Sequence, residues 1–89
     1  MDQIQSRTWI FPSYDNARIA RNAFAAVKVA YQAVCRLTEP IPPSCTLINV
    51  VIDKQPALTF QWRPGVDARL PAIVEAIALL VGGSEVLQE

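Results

Sequence analysis

Residues 45–63 read CTLINVVIDKQPALTFQWR, and the way this stretch divides decides the fold. β-Branched and aromatic residues crowd both of its halves, with polar residues and Pro56 between them, which is the signature of a β-hairpin. Strands over residues 45–53 and 57–63, with Lys54, Gln55 and Pro56 as the loop, set Ile52 against Leu58, Val50 against Phe60 and Ile48 against Trp62. This register is expected to gather these six large apolar side chains on one face, since a slip of one residue would scatter them. The reverse face then carries Cys45, Leu47, Asn49, Val51, Thr59, Gln61 and Arg63, with Leu47 and Val51 as candidates for a second interface.

Upstream of the hairpin lies the longest helical pattern of the chain, residues 14–37, with Ser13 placed to cap it. At ~100° per residue, Ala20, Ala23, Phe24, Val27, Tyr31 and Val34 form an inner side. Arg18, Arg21, Lys28, Gln32 and Arg36 fall on the other side. At ~1.5 Å per residue the helix spans the width of so small a domain. Glu39 before Pro40 is expected to end it. Pro40, Ile41, Pro42 and Pro43 then read as a stiff linker rather than as a PxxP ligand for another domain. Before the helix, residues 3–11 read as a strand stopped by Pro12, with Trp9 and Phe11 on one face and Thr8 and Ile10 on the other.

Downstream, Pro64 and Gly65 make a turn, Asp67 is placed to cap a second helix over residues 68–81, and Gly82 and Gly83 end it. Leu70, Ile73, Val74, Ile77, Leu80 and Val81 form its expected inner side. Ala72 and Leu79 stand opposite, so the helix is apolar almost all round, and Ala72 and Leu79 are expected to be covered by another subunit. The tail, SEVLQE, is a short last strand or a frayed end.

The order of elements predicts one α+β domain over residues 1–89. It is a two-layer sandwich with an antiparallel sheet in the order 1-3-2, both helices on one face, and the tail, if it joins, beside the first strand. This is the arrangement of a ferredoxin-like split βαβ.

Composition narrows the function. Eight basic and eight acidic side chains give no net charge, so no overall field draws the protein to nucleic acid. The charges are segregated, however, with four cations and no anion between residues 16 and 38. Histidine is absent, which removes the usual general base and the commonest metal ligand. Cys35 and Cys45 lack metal-type spacing, and the acids are dispersed. No catalytic activity, metal or cofactor is therefore expected. The two thiols, with neither an export signal nor an apolar run long enough to span a bilayer, suggest a cytoplasmic protein that does not use a membrane.

A hydrophobic share of 52 % in 89 residues, with limited core to absorb it, favours a protein–protein interaction module that forms a homodimer, chiefly through the second helix. The basic stripe of Arg18, Arg21, Lys28, Gln32 and Arg36 gives the alternative of an anionic partner, either an acidic protein or nucleic acid. The zero net charge and the inward placing of Phe60 and Trp62 argue against nucleic acid. A small-ligand regulatory domain is the remaining alternative.

Overall fold

The computed structural model describes residues 4–38 and 45–87, and of residues 35–38 the backbone alone. The proline-rich linker, the side chains of Cys35 and Arg36, and the end of the tail lie outside this description. The elements are β1 (Gln5–Ile10), α1 (Tyr14–Thr38), β2 (Cys45–Ile52), β3 (Gln55–Trp62), α2 (Arg69–Leu80) and β4 (Ser84–Val86). They build one four-stranded antiparallel sheet in the order β2-β3-β1-β4, so the tail does join beside β1. Both helices pack on one face of it. Ala17, Ala20 and Phe24 from α1, and Leu70, Val74 and Ala78 from α2, share a core with Trp9, Phe11, Leu58 and Phe60. Phe24 meets Phe60 edge-on with ring centres 5.1 Å apart, and Trp62 stacks on Phe60 at the same separation.

Local chemistry fixes the helix ends. The Ser13 hydroxyl accepts the Asn16 N–H at 3.2 Å, capping α1 as expected. Asn16 Nδ2 donates to the Val81 carbonyl at 2.8 Å and ties the start of α1 to the end of α2. At the start of α2, Asp67 accepts the Arg69 N–H on its carboxylate and the Leu70 N–H on its carbonyl. Tyr31 of α1 supports this turn by accepting the Asp67 N–H. α2 closes with Gly83 N–H on the Ala78 carbonyl, Gly82 N–H on that of Leu79, and Gly82 at φ +83°, which together form a Schellman motif.

The hairpin register differs from the expected one. The loop holds only Asp53 and Lys54, both at positive φ (49° and 65°), and Ile52 pairs with Gln55. Leu47 therefore faces Phe60 and Asn49 faces Leu58, a shift of three residues that turns β2 over. Cys45 and Leu47 now join the core side, while Ile48, Val50 and Ile52 lie on the face away from the helices. The reason is Pro56, which enters the strand instead of the loop. In a two-residue hairpin the closing pair is hydrogen-bonded, so the 51–56 pair is not, and β2 asks for no N–H from Pro56. On its other side, the Pro56 carbonyl still accepts the Phe11 N–H at 2.9 Å.

The inner sides of the helices are also rotated from expectation. Val34 and Ala23 are exposed on α1, whereas Lys28 and Gln32 are partly covered. On α2, Ile73 and Leu80 are exposed and Ala78 is buried. Ion pairing contributes to this setting of α2. Arg7, on the helix side of β1, bonds to Glu75 of α2 and to Glu85 of β4, and its guanidinium lies 5.0 Å from the Trp9 ring centre.

Candidate functional site

Two surfaces of the fold face away from the core. The first is the reverse face of the sheet, which is only in part exposed: Thr8 and Ala57 at its centre are buried, Ile10, Val50, Ile52, Thr59 and Gln61 are half-buried, and Ser6, Thr46, Ile48 and Ser84 are exposed. Alternation places Ser6, Thr8 and Ile10 of β1 there, with Ala57, Thr59 and Gln61 of β3. Thr46, Ile48, Val50 and Ile52 of β2 complete its larger half, and Ser84 and Val86 of β4 its margin. Within the strands no side chain on this face is ionisable, and a charge, Arg63, lies one residue beyond β3, at the edge formed by Ile4, Thr46 and Gln61. Thr8 and Thr59 satisfy each other across the strands at 2.8 Å, so even the polar centre of the face makes little demand on water. A sheet face that stays in water ordinarily alternates apolar-in with polar and charged-out. The outer side of α2 repeats this character on a smaller scale, with Ala72, Ile73, Ala76, Leu79 and Leu80 all exposed.

The second surface is a trough of about 490 Å³ between the first turns of α1 and the turn end of the hairpin. Ala17, Val51 and Pro56 give it an apolar floor, while Tyr14, Arg18, Arg21 and Asn49 stand along it. The small Ala17 is one reason it is open, because no large side chain bridges from α1 to β2 at that level. Helical geometry puts Arg21, Lys28, Gln32, Arg18 and Arg36 between about 40° and 120° round α1 from Phe24. The flank bearing Asn16 lies on the other side and meets α2. The basic stripe therefore does not point straight out to solvent. It borders the trough, with Arg18 and Arg21 lining it and Lys28 and Gln32 partly covered further along; of Arg36, only the backbone is described.

Charge in this region is only lightly offset. Arg18 pairs with Asp15 at 3.0 Å, with both side chains well exposed, so the pair is worth little. Arg21 and Lys28 have no ion-pair partner among the described residues. The pairs with a clear electrostatic effect lie elsewhere. Hydrogen bonds from the Arg7 guanidinium hold the Glu85 carboxyl below its ordinary range. Those from Arg69 hold Asp67 at about 2.

The expected interface residues Ala72 and Leu79 are both exposed, Leu79 by 57 %. Sequence reasoning missed the reverse sheet face because the register it assumed sent Ile48, Val50 and Ile52 inward. Its period-two pattern was visible, but the direction of that pattern depended on a turn of two residues instead of three. Among the described residues no group of three or more Cys, Asp or Glu is arranged to hold a metal, and no helix is long and apolar enough to cross a membrane. Comparison with protein-family models, curated proteins and solved structures gives no match.

Proposed function

We propose that the chain is a small non-catalytic interaction module that pairs with a second copy of itself, with the cytoplasm as the setting the composition suggests. The observation that carries this reading is that the strands place no ionisable side chain on the sheet face away from the helices, where Ile48 stays exposed. The strand order is also that of ferredoxin-like split βαβ folds, an analogy that carries no function of its own.

Two such faces can stack about a twofold axis, as sheets do in sandwiches, with side chains interdigitating across ~10 Å. Strand lengths and spacing give the face about 400 Å² in projection, hence ~800 Å² for two copies before side-chain relief is counted. That lies near the lower limit for a specific interface, ~1,000 Å², and implies a dimer that dissociates on dilution. The α2 stripe around Ala72 and Leu79 is the competing surface. At about 18 Å by 10 Å it is less than half as large.

Light scattering and sedimentation from about 1 to 200 μM separate these surfaces, a range spanning the dissociation constants of weak dimers. Ile48→Lys, which puts a charge on the sheet face, is expected to give a monomer throughout. Leu79→Glu is expected to keep the wild-type mass. The opposite pattern would move the interface to α2, and a wild type monomeric at every concentration would end the self-association reading.

A further inference from the structure

We propose that the trough beside α1 receives an extended acidic segment of a partner protein, which adds to the sheet as a new strand along the outer edge of β2. This is independent of pairing through the sheet face.

The backbone of β2 is the first ground. Because Ile52 and Gln55 close a two-residue turn, the even-numbered residues of β2 exchange hydrogen bonds with β3. The N–H and C=O groups of Leu47, Asn49 and Val51 therefore point away from β3, and β2 is an edge strand with no neighbour beyond it among the described residues. Its eight residues include neither a charge nor a proline, the devices that ordinarily keep an edge from accepting another strand.

The wall of the trough is the second ground. Arg18 and Arg21 line the trough, helical spacing places Lys28 further along the same flank of α1, and Arg21 and Lys28 have no ion-pair partner among the described residues. From Arg18 to Lys28 the helix rises ~15 Å. An extended strand covers nearly the same length, ~14 Å, in four residue steps, and shows three alternate side chains to one side. An added strand can thus present carboxylates to the cations at alternate positions, over the apolar floor of Val51 and Pro56. Its intervening side chains would extend the uncharged reverse face, which calls for apolar residues there. The expected partner segment alternates acidic and apolar residues, and the main-chain bonds supply affinity while the charges supply selectivity. A helical partner would leave the outward groups of β2 unsatisfied. A nucleic acid would meet one aromatic, Tyr14, on a chain with no net charge.

The test uses the whole, isotopically labelled chain and an end-blocked octapeptide of alternating glutamate and valine, followed by amide NMR. Saturable shifts at Leu47, Asn49 and Val51, with slowed hydrogen exchange there, are expected. The double variant Arg21→Glu, Lys28→Glu should bind at least about tenfold more weakly, as should a peptide with lysine in place of glutamate. Asn49→Pro removes one outward N–H at an edge position that tolerates proline, and should abolish the shifts at Leu47 and Val51 while keeping the remaining spectrum. Equal binding of the lysine peptide, shifts confined to α1, no saturable shift by about 1 mM peptide, or retention of a single-stranded oligonucleotide in place of the peptide would each overturn the proposal.

Discussion

Lys54 occupies a conformation that suits glycine. The pair Asp53–Lys54 has the positive φ values of a type I′ turn, for which Asn-Gly is the favoured sequence. A side chain in the left-handed region costs about 1 kcal/mol, so Lys54→Gly is expected to stabilise the fold by ~0.5–1 kcal/mol in urea unfolding. A loss of stability would mean that Lys54 makes a compensating contact. Gly83 is the opposite case. A Cβ there would lie 2.9 Å from both the Ala78 carbonyl oxygen and Phe11 Cε1, so Gly83→Ala is expected to cost about 1–3 kcal/mol. A melting temperature unchanged from wild type would contradict that close approach. The glycine stop was legible because two glycines after an apolar run have few other uses. The Asp-Lys turn was not, since neither residue advertises a left-handed conformation and Pro56 looked like a loop residue.

The setting of the elements depends on ion pairs that periodicity alone does not reveal. α2 is apolar around most of its circumference, and spacing put Ile73 and Leu80 on its inner side, whereas the arc that is buried contains Ala78. Glu75, reaching Arg7, helps set the helix in this orientation. Arg7 also bonds to Glu85 through two of its nitrogens, at 2.8 and 2.6 Å, and so anchors a β4 of only three residues. Because folding lowers the Glu85 carboxyl below its ordinary value, this bond adds stability above the unfolded-state value of about 4.3, and that stability is lost as pH falls through the folded-state value. Glu85→Gln is therefore expected to be less stable than wild type at pH 7, with the gap narrowing in acid below that range. Equal urea midpoints for the two proteins at pH 7 would show that the pair does not hold β4.

At the scale of the whole molecule, sheet order and the side taken by the helices were legible from the order of elements, because a right-handed crossover and a short hairpin leave few arrangements. That Ile48, Val50 and Ile52 lie on the face away from the helices was not, because it turned on one loop residue. If two copies cover that face, the melting temperature should rise with protein concentration for the wild type and stay flat for Ile48→Lys. A flat profile for both would count against the dimer. The molecule measures 40 × 28 × 17 Å, with its longest dimension close to the ~37 Å of α1, so stacking two copies through their sheets would leave both basic flanks open.

The central position of β3 also bears on how quickly the molecule assembles. Its pairing with β2 closes a turn of two residues, an event of microseconds, whereas its pairing with β1 joins Gln5 to Trp62 across the whole of α1 and the hairpin. Such distant pairing is the slow part of folding, and it needs a finished hairpin edge on which to dock. The unfavourable Asp-Lys turn therefore sits in the step on which the others wait. Lys54→Gly is expected to show its gain mainly as a faster refolding arm in stopped-flow chevrons, and Gly83→Ala, in a late-joining corner, mainly as faster unfolding.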